Sequence, residues 1–144
     1  MKFAAKGLMA GLVLIAGAAF AEVEATDPTV IARQDLMKTI GKNVKTLGDM
    51  AGGKADFDAA AAAAAKDAIV AASAEIGAKF EMQAEDPGSE AKPEVWTNWE
   101  DFMKKAGALN AAATALDASS LDNVKAGMGA VGGACKDCHT TYRL

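Results

Sequence analysis

Four stretches of this chain carry apolar residues at three- and four-residue spacing, and nothing in it sustains the period-two alternation of a strand. That pattern leaves helices as the only regular element the sequence supports. Alanine, the residue with the best intrinsic helix propensity, dominates the composition and points the same way. The first stretch opens at Asp27-Pro28, an acid suited to an N-cap followed by proline at the first helical position. Its stripe runs through Val30, Met37, Ile40, Gly41, Val44, Leu47 and Ala51 to a stop at Gly52-Gly53. The second is expected from about Asp56 to Phe80, with Phe57, Ala61, Ala65, Ile69, Ala72, Ile76 and Phe80 on one face. Its run Ala59–Ala65 is either low complexity or a surface for close helix packing. The segment AEDPGSEAKP breaks the pattern with Pro87-Gly88 and Pro93. A third helix, from near Pro93, carries Trp96, Trp99, Phe102, Met103, Ala106, Leu109, Ala113 and Leu116. Ser119 with Asp122 resembles a capping box for the fourth, which holds Leu121, Val124, Met128, Val131, Cys135, Cys138 and Tyr142. Four amphipathic helices with mostly short links predict an all-α, antiparallel up-and-down four-helix bundle. The third and fourth are expected as antiparallel neighbours, with the 84–92 loop capping one end.

The first 21 of the 144 residues are read apart from that bundle. MKFAAKGLMAGLVLIAGAAFA has a basic start, a short apolar middle and an A-x-A end, the pattern of a cleaved secretory signal peptide. Its apolar part falls short of the roughly 20 residues of a membrane span. Residues 22–144 form the mature domain, with no membrane insertion after cleavage. Cleavage removes Lys2 and Lys6 and no acid, leaving 13 of the 15 basic residues against 19 acidic ones. A formal charge of −6 then replaces −4, which argues against nucleic acid and anionic membranes as partners. Export places the chain in an oxidising compartment, the periplasm, where two thiols are ordinarily paired.

Both thiols lie in the final segment, GGACKDCHTTYRL. Cys135-Lys136-Asp137-Cys138-His139 is C-x-x-C-H, the attachment motif of c-type haem. On a helix Cys135, Cys138 and His139 stand at i, i+3 and i+4 and project from one face. Two thiols there suit thioethers to the two haem vinyl groups, and the imidazole beside them suits an axial iron ligand. A zinc site lacks a fourth strong ligand, because the chain has no other Cys or His. A thioredoxin-like pair expects a βαβ setting, and a disulfide across three residues of helix is strained and staples little. With its one histidine used, the chain has no candidate for His-based general catalysis and is read as a non-enzyme. On the first helix Arg33 offers a guanidinium suited to two-point contact with a carboxylate such as a haem propionate. Met37, four residues on, is either a sixth iron ligand or ordinary core filling.

The mature chain resembles the class II c-type cytochromes, the cytochrome c′ family of four-helix bundles. The resemblance rests on C-x-x-C-H close to the C-terminus followed by Tyr142-Arg143, on Gly132-Gly133, on Arg33-Gln34 then Met37, and on Pro93-Glu94-Val95-Trp96. It implies one covalent haem c on Cys135 and Cys138 with His139 as axial ligand. It implies Arg33 and Gln34 against the haem edge and propionates, Glu90 bordering the haem, and Arg143 close to the axial histidine. Met37 matches the distal residue at which the family divides. Low-spin members ligate iron through a methionine there and suit electron transfer with periplasmic redox proteins. Five-coordinate, high-spin members shield the iron with an apolar residue and bind nitric oxide or carbon monoxide; Met37 is compatible with both. The resemblance also implies a homodimer, for which Ile31 and Leu36 read as spare apolar residues on the first helix. Trp96, Trp99 and Phe102 read either as haem-pocket lining or as core, with core favoured for at least two.

Overall fold

The computed structural model describes residues 23–144; the signal peptide assigned to residues 1–21 lies outside the described residues. The helices are α1 (Pro28–Ala51), α2 (Ala59–Ala74), α3 (Ile76–Phe80), α4 (Glu94–Thr97), α5 (Trp99–Ala115) and α6 (Leu121–Tyr142). Among the described residues there is no strand, only one isolated antiparallel bridge between Ala91 and Arg143. No described helix is long and apolar enough to cross a membrane. The chain caps start where their chemistry predicts. The Asp27 carboxylate accepts from the amides of Thr29 and Val30, and Pro28 follows at the first helical position. At the far end the Gly52 amide closes onto Gly48 O, and Gly53 turns the chain at φ +70, a conformation that favours glycine.

α1, α2, α5 and α6 form the bundle, packed mainly as α1 on α2, α2 on α5, α5 on α6 and α6 back on α1. Side-chain pairing fixes the directions. Along α5, Asp101 meets Tyr142, Lys105 meets Asp137, and Leu116 at its end lies against Gly127, so α6 runs antiparallel. Asn110 meets Val70, and Phe102 meets Phe80, so α2 with α3 also runs antiparallel to α5. This is the expected bundle. Its core is filled by Leu47, Ile69, Val124 and Val131, all fully buried, with Ala62, Ala65 and Ala113 letting the backbones approach closely. Each large aliphatic side chain so buried stabilises the fold by roughly 1.5–3 kcal/mol.

Several local expectations shift. The second helix is interrupted at Glu75, whose amide bonds Ala72 O. Just before the break, Asn110 Nδ2 on α5 donates to Val70 O and Ser73 Oγ, and Ser73 Oγ donates to Val70 O as well. Polar side chains thus compete for that carbonyl and loosen the ladder. The apolar stripe hides the break because Ile69, Ala72, Ile76 and Phe80 stay on the core side of it. The buried alanine in the second turn of α2 is Ala62, not Ala61, which is exposed. The third helix divides likewise at Asn98, with ψ +45, into α4 and α5. Met103 is exposed and lies against Gly77. Leu36 is 8% exposed and belongs to the core, so it is not a spare apolar residue; Ile31, at 39%, remains one. Ser120, not Ser119, caps α6, accepting from the Asn123 amide. Ser119 is held instead in a turn by Asp117, whose carboxylate accepts from the Ser119 amide.

The buried face of α2 yields a direct test. Ile69→Ala should lower the unfolding free energy by ~2–5 kcal/mol in denaturant titration, whereas Ala63→Ser, on the exposed face, should stay within ~0.5 kcal/mol.

Candidate functional site

α6 stays helical through Tyr142, so its last turns present Cys135 and Cys138, both half-buried, and His139, more open, on one face. They form one wall of a cleft of about 960 Å³. The facing wall comes from α1, with Arg33, Gln34 and Met37, and the floor from α5, with Phe102, Ala106 and Leu109. Glu90 and Arg143 stand at its rim. All eight residues singled out from the sequence therefore line one cleft, though they come from segments about a hundred residues apart in the chain. Of the three aromatic candidates only Phe102 lines it; Trp96 and Trp99 pack against the core.

A profile described as Cytochrome C′ matches residues 29–143. The chain belongs to the cytochrome c′ family. It is 36% identical to cytochrome c-556 of Agrobacterium fabrum over 134 residues, 91% of this chain and 88% of that one. A ferrous variant of cytochrome c prime from Alcaligenes xylosoxidans with bound NO matches at TM-score 0.71 and 30% identity, covering 81% of this chain and 94% of that one. A cytochrome c′ described by an unusual ligand-controlled dimer dissociation matches with the same TM-score, identity and coverage. Cytochrome c′ proteins are haem proteins of electron transfer or gas binding, and their cofactor is one covalently attached c-type haem.

The residues of the cleft fit that group. The two thiols are free and stand with the imidazole on one helical face. Burial pushes both thiols up from their ordinary pKa, with Lys105 opposing at Cys138, so they are neutral at pH 7. Among the described residues no three His, Cys, Asp or Glu side chains converge on one position. Burial of protein around the His139 ring, and then the Arg143 charge, lower its pKa against the pull of Glu90. The neutral imidazole, the form that ligates iron, is thereby favoured.

Arg33 is the most unusual residue of the cleft. It is 3% exposed and lies over Phe80 and Trp96, with its guanidinium carbon 5.2 and 5.0 Å from the ring centroids. Its Nε donates to Lys79 O at 3.1 Å and its Nη2 to Met82 O. These are carbonyls at and just beyond the end of α3, a helix terminus short of partners. Nη1 alone is buried without a partner. A buried unpaired cationic donor is costly, and a haem carboxylate is the kind of group that satisfies it. Nη2 is bonded to Met82 O, which leaves Nη1 as the nitrogen of the guanidinium without a partner among the described residues. Gln34 is also committed, donating from Nε2 to Gly88 O at 2.9 Å. Met37 is half-buried and packs on the core.

Sequence reasoning left three residues out of the site, although it placed Tyr142 on the stripe of the last helix. Tyr142 lines the cleft, stands edge-on to Phe102, and donates its hydroxyl to Asp101 Oδ2 at 2.7 Å. Burial and that bond push its pKa up to about 12. Lys105 also lines the cleft and pairs with Asp137 at 2.6 Å. Its place three residues after Phe102, on the same helical face, was the available signal. Asp86 sits behind the rim. Its Oδ2 accepts from the Asp27 amide at 2.7 Å, the Thr26 amide at 2.8 Å and the Thr26 hydroxyl at 3.0 Å; its Oδ1 accepts from the Gly88 amide at 2.7 Å.

The backbone amides of Asp27, Gly88 and Thr26 hold the Asp86 carboxyl down at about pKa 2. Folding therefore favours the charged form, and the stability it adds is complete above about pH 4 and fades as pH falls toward 2. The melting-temperature gap between wild type and Asp86→Asn should accordingly be widest near neutrality and close across that acid window.

Proposed function

We propose that this chain is an exported, periplasmic electron carrier whose haem is held by thioethers from Cys135 and Cys138, with His139 as axial ligand. The observation that carries the reading is the convergence of the three motif side chains with Arg33, Gln34 and Met37 on one cleft. Bound there, the haem supplies a one-electron iron couple. The chain's own residues do the rest. Phe102, Ala106 and Leu109 keep water from the apolar side of the cleft. Arg33 Nη1 offers its two unpaired hydrogens to a carboxylate. Glu90 engages Arg143, with Nη2 to Oε2 at 2.6 Å, and so moderates the positive charge beside His139. Met37, on the facing wall, is the sixth-ligand candidate, and Arg143 and Glu90 border the proximal side. The N-terminal leader supports export, and periplasmic redox proteins are the partners. No nucleophile–base pair among these residues argues for substrate turnover.

Gas binding is the second reading, favoured by the similarity to a cytochrome c prime solved with bound NO. In it Met37 covers the metal without touching it. A homodimer is proposed as well, on the similarity to a cytochrome c′ described by dimer dissociation. A shallow groove between α1 and α2, bordered by Ala32, Ala68 and Ala71, offers a small-residue surface for it.

Denaturation in acid should leave haem colour with the wild-type chain and release it from a Cys135→Ala/Cys138→Ala double variant. The optical spectra of the ferric and ferrous protein divide the two functional readings. A charge-transfer band in the far red with sharp reduced bands, lost in Met37→Ala, is expected for the electron carrier. Broad high-spin bands that sharpen only with carbon monoxide, with Met37→Ala changing mainly stability, would shift the assignment to gas binding. Sedimentation at two protein concentrations should give twice the monomer mass at the higher one; a monomer at both rejects the dimer.

A further inference from the structure

The connection between α3 and α4 does more than join them. Near its start, Asp86 gathers the amides of Thr26 and Asp27, and Asp27 is the residue that caps α1. Gln34, on the second turn of α1, reaches Gly88 O. A Cβ on Gly88 would fall 2.5 Å from Ala25 N and 2.7 Å from Ala25 Cα and Val23 O, so the chain entering α1 lies directly on this segment. At its other end the segment bonds to the tail of α6. Lys92 N donates to Tyr142 O and Leu144 N to Glu90 O, each at 2.9 Å, and the Glu90 carboxylate holds Arg143. Between these two anchorages the chain is short and stiffened by Pro87 and by the Ser89 amide turning back to Asp86 O.

We propose that Asp86 is a positioning residue: it anchors residues 86–92 as a strap between the α1 wall and the α6 wall, and through that strap it sets the placement of Met37 opposite His139. The inference rests on the haem reading given above. Asp86 touches neither Met37 nor His139. It acts because α1 is one continuous helix from its cap to Met37, and because the α6 tail begins three residues after His139. A segment bonded to both transmits a shift at one wall to the other. Each bond at the rim is modest singly, and the effect lies in their being in series across the cleft.

The test uses the haem-loaded protein and two variants that loosen the α1 end by different means. Asp86→Ala removes the acceptor, and Gly88→Ala leaves Asp86 in place but displaces Val23–Ala25. Amide hydrogen exchange at Lys92 and Leu144, at the far end of the strap, is read beside the ferric spin state. The strap predicts exchange faster by about tenfold at both amides in both variants, together with a changed high-spin to low-spin ratio. Exchange that rises only at Thr26, Asp27 and Gly88, or rises at the far end with an unaltered spectrum, would overturn it. Should Asp86→Ala not fold, Gly88→Ala alone decides between these outcomes. Failure of the haem reading is a different result, seen in a wild type that carries no haem colour at all.

Discussion

A three-residue cysteine spacing presents both thiols and the imidazole to one cleft only while the helix beneath them is intact. Here that helix ends only three residues past His139, and helix ends fray. The end of α6 is held by contacts outside it. Tyr142 is buried against Phe102 and bonded to Asp101, its carbonyl accepts from the Lys92 amide, and the Leu144 amide donates to Glu90 O. Phe102 is the hub, within 5.5 Å of Trp99, Phe80 and Tyr142 by ring centroid. Aromatic pairs at such separations add to the stabilisation from burial alone. The tail after the motif is thus a structural requirement of the chemistry before it.

Arg33 shows how a cleft of this kind acquires a charge. A guanidinium this buried would be destabilising without partners, and its desolvation does lower its pKa. Two ring faces and the carbonyls of Lys79 and Met82 act against that cost, and the carbonyls are open to a side-chain donor because α3 stops at Phe80. The end of α3 and the placement of Arg33 are therefore one arrangement.

Much of this was legible from residue spacing. The helical period gives the four long elements, Asp27-Pro28 gives the start of α1, and C-x-x-C-H gives the thiol wall of the cleft. The rest depends on contacts between distant residues, which spacing does not encode. The polar contact just before the interruption of α2 brings Asn110, some forty residues later, to Val70 and Ser73. The role of Asp86 needs Thr26 and Asp27, some sixty residues earlier. Leu36 looked like a spare apolar residue beside a stripe that already seemed complete, yet α2 covers it. The partners that fix the Arg33 side chain, Lys79 O and Met82 O, are backbone atoms with no signature in sequence.

The bundle divides its labour along its length. Toward one end Leu47, Met50, Ala113, Leu116, Val124 and Val131 make a solid core, and the links there, 52–58 and 116–120, are short. Toward the other end the same helices line the cleft, from Arg33 to Val44 on α1 and from Ala134 to His139 on α6. The long 81–93 connection, joining α3 to α4, crosses that end and bonds to both walls on the way. Helix pairing is thus set at the closed end, where loop closure costs least. At the open end, separation of the walls falls to hydrogen bonds at the rim, and these are the contacts through which the cleft can be tuned without unfolding the protein.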